Sequence, residues 1–398
     1  MKILFFISSL QNGGAERAMS NITTHLPEGV EADILVNSVS ESDYPTNANI
    51  ISLGMRPNVK KNYIYQLKAM LKRIPKLYQL KKSNQYDACI SFMDSANICN
   101  ILTGNKHCKT IVSVRVKLAQ DKSFTYRYIV KPLASLLYNK ADHVVAVSEG
   151  IRKELIDDLS IDASKVVTIT NGYDMKVIQN QMEQPAELIQ EFNLENKFIF
   201  ASSGRYSYQK GQWHLIRAFK KVAEKCPDAM LLLMGQGTDR EYLQNIIEQN
   251  ALQQQVILLP YQKNPFAILK HCRVFVMPSL FEGYCNALCE AMICGLPCIA
   301  TDFQSSARDI LAPDTDLEYQ LQEGIEKASY GILTPVCSGV RYKGDEPLEK
   351  NEMYLLEAML EMYENSELLS KYRECVQIRG KELRIEAKVQ EWMALAKS

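Results

Sequence analysis

The sequence predicts an α/β protein of two doubly wound domains, each a parallel sheet with helices on both faces. Short apolar runs alternate with stretches of helical spacing, which predicts parallel strands joined by helices. The alternation occurs twice, once on either side of the polar segment VIQNQMEQPAE, which begins at Val177. The length of 398 residues also suits two domains, at roughly 100 to 200 residues per domain.

Residues 1–180 are predicted to form the N-terminal domain. Their strand-like runs are KILFFIS, ADILVNSV, DACISFM, KTIVSVRV, HVVAVS and KVVTITNG. The first run leads into Gly13 and Gly14, which open a helical stretch. A helix N-terminus offers unpaired N–H groups, and glycine lets a ligand approach them, so this turn is a candidate anion-binding loop. A tight bend alone would also require glycine.

Residues 181–375 are predicted to form the second domain, and residues 376–398 a final helix. The strand-like runs of the second domain are FIFASSGRY, AMLLLMGQG, QVILLPY, VFVMPS and PCIATD. The final helix has one apolar face, made of Ile385, Val389, Trp392, Met393 and Ala396. Whether this face packs back on the first domain stays open. Because open parallel sheets bind ligands outside the carboxyl ends of their strands, the expected site is the cleft between the domains.

Composition excludes several classes of protein. The 46 basic and 46 acidic residues balance, which argues against a general nucleic-acid binder. An apolar content of 46% argues against disorder. The 11 cysteines are odd in number and contain no Cys-x-x-Cys pair, so we expect free thiols. We find no apolar run of about 18 residues and no signal peptide, and therefore expect a cytoplasmic protein.

Charge is unevenly distributed, with a positive first half and a negative second half. Residues 44–86 contain cations and no acidic residue. Part of this segment reads as a basic amphipathic helix, and its candidate membrane-binding or acceptor-binding cations are Lys68, Lys72, Arg73 and Lys76. Such a surface suits anionic headgroups or a lipid-linked diphosphate. A solvated helix with an apolar stripe toward the core remains the alternative.

Two loops are candidates for phosphate binding. In SSGRYSYQKG, Arg205 and Lys210 follow a strand, beside Gly204. Two cations there can hold a diphosphate and neutralise it as it leaves, although a surface loop with two solvated charges would look the same. In MGQGTDREYL, Gly235 follows the next strand, but Arg240 stands where a dinucleotide fingerprint needs a third glycine. A phosphate-proximal loop is the remaining interpretation.

The most informative stretch is PSLFEGYCNALCEAMICGLPCIATD. Glu282 precedes a turn at Gly283, and Glu290 lies inside the helix that follows. Carboxylates suit the hydroxyls of a sugar and a ribose, which are hydrogen-bond donors. Three backbone N–H groups at the start of the helix are expected to face phosphate oxygens, those of Tyr284, Cys285 and Asn286.

Taken together in this order, GGAER, VSEGIRKEL, TNGYD, GRYSYQKG, GQGTDREYL and the stretch above resemble the family-4 retaining glycosyltransferases of the GT-B fold. The resemblance covers most of the chain. It implies transfer of a sugar from a nucleotide diphosphate sugar with retention of the anomeric configuration. It also implies that the first domain binds the acceptor and the second binds the nucleotide.

The resemblance also implies roles for individual residues. Arg205 and Lys210 match the diphosphate-binding pair, Glu290 the residue on the ribose hydroxyls, and Glu282 the residue near the donor sugar. Gly13 and Gly14 match the loop over the diphosphate and sugar. Tyr261 matches the base-contacting loop. Arg115 matches a residue that is presented to the sugar or the acceptor.

The predicted reaction needs neither a metal nor a cofactor, because the cations and helix N–H groups stabilise the departing diphosphate. The expected acceptor is a lipid-diphosphate-linked saccharide in surface polysaccharide synthesis (capsule, O-antigen or exopolysaccharide), on the inner face of the cell membrane. The alternatives are a nucleotide-sugar epimerase or hydrolase of the same fold, or a non-catalytic membrane-associated scaffold. No metal role is assigned to the cysteines at 285, 289, 294 and 298, to the Asp314–Asp316 triplet or to the five histidines.

Overall fold

The chain divides into two compact units. The first unit contains Met1–Asp174 together with Leu383–Ser398, and the second contains Met175–Glu382. The computed structural model describes residues 1–11, 13–55, 63–116, 131–303 and 306–398, with side chains of the helix that begins at Tyr63 described from Ala69 onward.

The first unit is a parallel sheet flanked by helices. Its strands are β1 (Lys2–Phe6), β2 (Glu31–Val36), β3 (Asn49–Ser52), β4 (Ala88–Phe92), β5 (Lys109–Val114), β6 (His143–Ala146) and β7 (Val166–Thr168). They pair in the order β3-β2-β1-β4-β5-β6-β7, all parallel. Its helices are α1 (Gly14–Thr24), α2 (Tyr63–Ser83), α3 (Asp94–Leu102), α4 (Lys131–Tyr138), α5 (Glu149–Asp157) and α15 (Ile385–Lys397).

The order of the first sheet reverses at β1 and β4. Successive strands add outward through β2 and β3 on one side of β1, and through β5, β6 and β7 on the other side of β4. The loops at the carboxyl ends of β1 and β4 diverge at such a reversal, and the crevice between them is where open α/β sheets bind ligands. Strand β4 is buried at every position, and its sequence ACISF is accordingly apolar except at Ser91.

The second unit repeats this architecture with one antiparallel edge. Its strands are β8 (Phe198–Ser203), β9 (Ala229–Met234), β10 (Val256–Leu259), β11 (Val274–Met277), β12 (Cys298–Thr301), β13 (Glu326–Ala328) and β14 (Gly331–Thr334). Their order is β10-β9-β8-β11-β12-β14-β13, with only β13 antiparallel to its neighbour. The order reverses at β8 and β11, which places the switch point of this sheet there.

Helices flank the second sheet, and the apolar faces of four of them form a core with it. These helices are α6 (Met175–Met182), α7 (Glu187–Glu191), α8 (Gln212–Lys225), α9 (Arg240–Gln249), α10 (Phe266–Leu269), α11 (Asn286–Ile293), α12 (Ala307–Leu311), α13 (Lys350–Glu364) and α14 (Ser366–Glu382). Trp213 and Phe219 of α8 are fully buried with Phe200 of β8 and Met359 of α13 in the same cluster. The two predicted parallel-sheet domains are therefore confirmed.

Three strands escaped the sequence prediction, each for a physical reason. Strand β3 has only four residues and is half-exposed at the sheet edge, so it lacks a buried apolar run. Strand β14 is buried but short, with the sequence GILT, and β13 is a half-exposed antiparallel edge. Edge strands need to bury less of their surface than central ones, and their sequences carry a weaker signal.

The final helix belongs to the first unit. Trp392 of α15 is 1% exposed, and its ring centroid lies 5.5 Å from that of Phe92. Ile385, Val389 and Met393 pack in the same cluster as β1. The predicted apolar face thus packs on the first domain. The predicted boundaries at 180 and 375 fall inside α6 and α14. The boundary at 180 rests on a polar segment, and several residues of that segment lie on the exposed face of α6.

Truncation of Trp392 should destabilise the first unit more than the second. Trp392→Ala is expected to cost about 3–5 kcal/mol, since it empties the space of a fully buried indole. Calorimetric unfolding of the whole chain measures this, with the exposed Gln390→Ala on the same helix as the control. A loss no larger than that of Gln390→Ala would contradict the packing of α15 on this core.

Candidate functional site

Two loops of the second unit meet at the carboxyl ends of β8 and β11. The Leu280 N–H donates to the Gln209 carbonyl at 2.8 Å. The Gln209 side-chain amide donates in turn to the Phe281 carbonyl at 3.0 Å and to Glu282 Oε2 at 2.9 Å. These bonds hold the GRYSYQKG loop against the PSLFEG loop, at the switch point of the sheet.

The close approach of these loops depends on Gly211. Its φ of 59° lies in the left-handed region, where a side chain is strained. A Cβ at this position would also lie 2.3 Å from the Pro278 carbonyl oxygen, well inside contact distance. Glycine is therefore required for the loop to pass this close to the neighbouring loop and then to begin α8.

Lys210 and Glu282 form an ion pair across the junction. The Lys210 ammonium contacts Glu282 Oε1, and the two side chains are only 15% and 8% exposed. Ser279 Oγ donates to the same carboxylate oxygen at 3.0 Å. The Lys210 side chain runs over Gly204, where an added Cβ would lie 3.0 Å from its Cε. The structure thus brings together two of the four predicted catalytic side chains.

The other two predicted side chains belong to the same loops and helix. Arg205 is exposed on the β8 loop, and the structure gives it no ion pair with another described residue. Glu290 is 7% exposed on α11, which starts just after the Glu282 loop. Burial raises the pKa of the Cys294 thiol to about 12, and the Glu290 charge adds to that rise. Cys294 is therefore a protonated thiol at neutral pH in this environment.

The start of α11 differs in detail from the prediction. The Asn286 N–H donates to the Tyr284 carbonyl at 3.1 Å, so this N–H is already used inside the turn. The side chain of Cys285 is 1% exposed, and burial raises the pKa of its thiol well above its usual value, with the Glu282 charge adding to the effect. Cys285 can therefore serve a ligand only through its backbone. Gly283, between Glu282 and Tyr284, lies in the connecting loop.

Gly235 has a packing role that the motif did not reveal. A Cβ on Gly235 would lie 2.0 Å from the Gly204 carbonyl oxygen, and one on Gly237 would lie 2.2 Å from the Tyr206 carbonyl oxygen. These glycines therefore let the GQG loop pack on the GRY loop, and their presence does not require a phosphate. The donor-binding role predicted for Gly235 stays a prediction.

Sequence reasoning missed Tyr206, which ties three loops together. Its ring is fully buried, and its hydroxyl lies 2.6 Å from the carbonyl oxygens of Leu233 and Leu259, at the ends of β9 and β10. Tyr261, the predicted base-contacting residue, follows the same end of β10 and is 60% exposed. The sequence signal for this role was the position of Tyr206 between two predicted cations, Arg205 and Lys210. A tyrosine at such a position either faces the ligand or anchors the loop.

In the first unit, Arg115 follows β5 directly and is 7% exposed. Its guanidinium lies 4.6 Å from the Phe92 ring centroid and donates to Asn171 Oδ1. Gly13 caps α1, and a Cβ there would lie 1.9 Å from Glu16 Oε2. The space over Gly13 is thus filled by the Glu16 carboxylate, which is a local reason for glycine at this position. Gly14 is the exposed first residue of α1.

The predicted basic surface on α2 needs a correction. Arg73 is 4% exposed, and it donates to Asn37 Oδ1, Ser95 Oγ and Ser8 Oγ at 2.9, 3.2 and 3.0 Å. It therefore lies inside the unit, since helical spacing places it on the buried face with Ala69, Leu77 and Leu80.

Lys72 is exposed and Lys76 is half-exposed, as a surface role requires. The side chain of Lys68 lies outside the described residues. Among the helices that the structure describes, none is both long enough and apolar enough to cross a bilayer.

One group of possible metal ligands was invisible to sequence spacing. Ligand atoms of His214, Cys337 and Glu349 lie within 4.8 Å of one another. Burial raises the pKa of the Cys337 thiol well above its usual value, and Ser338 and Tyr342 donate to the Glu349 carboxylate. Hydrogen bonding within the protein therefore accounts for this cluster, which brings together α8, a loop and the start of α13.

The Asp314–Asp316 triplet, to which no metal role was assigned, forms local hydrogen bonds. The Asp314 carboxylate accepts from Ser329 Oγ at 2.8 Å, and the Asp316 carboxylate accepts from the Glu318 N–H at 2.9 Å. Both carboxylates thus have local partners. The cysteines at 285, 289, 294 and 298 are free thiols, and burial raises the pKa of Cys298 well above its usual value. All 11 cysteines are free, as the sequence predicted.

Comparison with known proteins matches both units. Residues 12–177 match the model of Glycosyltransferase Family 4, and residues 184–316 match that of Glycosyl transferases group 1. An uncharacterised glycosyltransferase of Methanocaldococcus jannaschii is 31% identical over 82% of this chain and 83% of its own length.

Two further comparisons cover nearly the whole chain. A Campylobacter jejuni enzyme is 26% identical over 96% of this chain and 95% of its own; its name is N-acetylgalactosamine-N,N'-diacetylbacillosaminyl-diphospho-undecaprenol 4-alpha-N-acetylgalactosaminyltransferase. The crystal structure of HepE from Anabaena in complex with UDP superposes with a TM-score of 0.72 at 18% identity, and covers 99% of each chain.

The two doubly wound units have the GT-B fold, and the matched family models identify the chain as a glycosyltransferase. The chain belongs to family 4 of the glycosyltransferases. A sugar-nucleotide-dependent transferase is therefore the class of enzyme, and the non-catalytic scaffold is not favoured.

Loss of the Lys210 charge should impair the chemical step. Lys210→Gln is expected to lower kcat about 100-fold or more, because one positioned donor to developing negative charge contributes roughly 3 kcal/mol. Turnover of a nucleotide sugar measures this. Lys221→Gln on α8 is the matched control, since Lys221 forms only an exposed pair with Glu224. Equal activities of the two variants would contradict the placing of the site.

Proposed function

We propose that this chain transfers a sugar, with retention of configuration and without a metal, from a nucleotide diphosphate sugar to a hydroxyl of a lipid-diphosphate-linked saccharide. The observation that carries the proposal is the Lys210–Glu282 ion pair, half-enclosed at the carboxyl ends of β8 and β11. It supplies one cation for the leaving diphosphate and one carboxylate for the sugar. Arg205 on the same loop supplies a second cation.

The chemistry follows from where charge develops. Cleavage of the sugar–phosphate bond leaves negative charge on the diphosphate and positive charge on the anomeric carbon. In the resting protein Glu282 neutralises Lys210, so the donor diphosphate must compete for the ammonium and thereby frees the carboxylate to accept from sugar hydroxyls. Glu290 accepts from the ribose hydroxyls. The acceptor hydroxyl attacks from the face that the diphosphate leaves, and a diphosphate oxygen takes its proton.

The same arrangement supports the proposed metal independence. Lys210 and Arg205 provide the positive charge that a divalent cation would otherwise supply to the diphosphate. The Glu282 carboxylate is held by Lys210, Gln209 and Ser279 rather than directed at an ion site.

The acceptor class rests on the relatives and on α2. The Campylobacter relative is named for a diphospho-undecaprenol-linked substrate, which supports a lipid-linked saccharide as the acceptor here. With such an acceptor, we propose a role in surface polysaccharide synthesis at the inner face of the membrane. On α2 a solvent-facing stripe at positions i, i+4, i+7 and i+11 consists of Leu71, Pro75, Tyr78 and Lys82. Leu71 is 67% exposed and Tyr78 45%.

This stripe suits the boundary of an anionic bilayer. Exposed apolar side chains at helical spacing are flanked by Lys72 and Lys76, which is the pattern of helices that lie in the membrane surface. Leucine at 67% exposure contributes nothing to the core, whereas it gains from insertion beside the headgroups. We propose that α2 holds the first unit on the membrane, where a lipid-linked acceptor is found.

Donor turnover should persist in the presence of a chelator. UDP-, GDP- and ADP-sugars are screened for stabilisation of the native chain, and the stabilising donor is supplied with an undecaprenyl-diphosphate-linked N-acetylhexosamine. Transfer is expected to be unchanged by EDTA, and NMR of the product is expected to show the anomeric configuration of the donor. Loss of transfer in EDTA that added Mg²⁺ restores would contradict metal independence, and an inverted product would contradict retention.

Membrane binding should depend on the exposed cations of α2. Lys72→Glu with Lys76→Glu is expected to weaken binding to phosphatidylglycerol vesicles more than tenfold, at about 1 kcal/mol for each cation near the surface. Sedimentation with vesicles measures the bound fraction. Lys371→Glu with Lys381→Glu, both exposed on α14, is the charge-matched control. Equal losses in the two double variants would contradict a specific role of α2.

A further inference from the structure

Glu16 is a half-buried carboxylate at the ligand-binding edge of the first sheet. It lies in the first turn of α1, the helix that follows β1 at the switch point of this sheet. Its Oε2 occupies the space above Gly13, 1.9 Å from where a Cβ would be. The carboxylate is therefore folded back over the N-terminus of the helix and is not extended into solvent.

Arg115 is the charged group that acts on this carboxylate within the described residues. The arginine is fixed from two sides, by the Phe92 ring at the end of β4 and by Asn171 beyond β7. The Glu16 carboxylate accepts from its own backbone N–H, and the structure gives it no hydrogen bond from the side chain of another described residue. It thus keeps acceptor capacity for a donor group from outside the protein.

Helix stabilisation alone does not account for Glu16. A first-turn carboxylate stabilises a helix dipole without being buried, as the exposed Glu386 of α15 does. Glu16 is instead buried enough for desolvation to raise its pKa, an effect that outweighs the opposing one of Arg115. A carboxylate kept in a desolvated place beside a fixed arginine is typical of a binding residue.

We propose that Glu16 binds a hydroxyl of the acceptor sugar through its carboxylate. The inference rests on the proposed function and deepens it, because it names the acceptor contact on the first unit. A carboxylate is an acceptor only, and sugar hydroxyls are donors, so the pairing is chemically matched. Gly13 then has a second role, since its missing side chain leaves the room that the carboxylate occupies.

The test compares Glu16→Gln with Glu386→Gln in the full chain. The probe acceptor is undecaprenyl-diphosphate-linked N-acetylhexosamine, with the stabilising nucleotide sugar as donor. Glu16→Gln keeps the size of the side chain and loses the charge. It is expected to lower kcat/KM for the acceptor about 10- to 100-fold, as loss of a charged hydrogen bond does, and to leave KM for the donor and the melting temperature within error of Glu386→Gln.

A double-mutant cycle separates binding from helix capping. Gly13→Ala places a Cβ where Glu16 Oε2 lies, at a φ of −131° that alanine can adopt, so the carboxylate must move. We expect Gly13→Ala to lower kcat/KM for the acceptor as Glu16→Gln does, and to add less than twofold in the Glu16→Gln background. Independent effects that multiply would show that Gly13 does not act through Glu16, and would overturn this link.

The possible results separate a failure of this inference from a failure of the proposed function. Wild-type chain that transfers no sugar to the probe, with or without vesicles, overturns the lipid-linked acceptor and the inference together. Wild-type transfer with an unchanged kcat/KM for the acceptor in Glu16→Gln overturns the inference alone. A changed KM for the donor, with that for the acceptor unchanged, also overturns it and assigns Glu16 to the donor.

Discussion

The candidate site of the second unit depends on the Lys210–Glu282 ion pair. It joins loops from β8 and β11, the two neighbouring strands at which the order of the sheet reverses. Two oppositely charged side chains this little exposed would be costly to desolvate singly, so each requires the other or a ligand with matching charge. A polar ligand that offers both a diphosphate and hydroxyls can replace both halves of the pair.

Glycines around this pair serve the packing of backbone on backbone. Gly211 passes the Pro278 carbonyl, Gly235 passes the Gly204 carbonyl, and Gly237 passes that of Tyr206. Each position would clash with any Cβ, so the packing of the loops by itself requires glycine there. The closely packed loops that result position the ion pair, and a preorganised site requires such positioning. Gly13 in the first unit differs, because the group that fills its space is a carboxylate.

The cations of helix α2 lie in two different environments, although they are close together in the sequence. Its cations were predicted as one surface, yet Arg73 lies within hydrogen bonds of Ser8, Asn37 and Ser95, while Lys72 beside it is exposed. At 3.6 residues per turn, adjacent positions point about 100° apart, so sequence neighbours lie on different faces. Composition revealed the excess of cations, and only the packing of the helix decided which of them are available to a partner.

The sequence by itself determined the two doubly wound units, the strands that end in candidate loops, the free cysteines and the family, because these depend on local periodicity and on motifs in order. Tertiary structure decided that Lys210 pairs with Glu282, that Tyr206 anchors three loops, and that α15 belongs to the first unit. It also brought Glu16 over Gly13 and under the influence of Arg115, which follows a different strand. Such contacts join residues that are distant in the chain, and no local pattern records which side chains a sheet will place side by side.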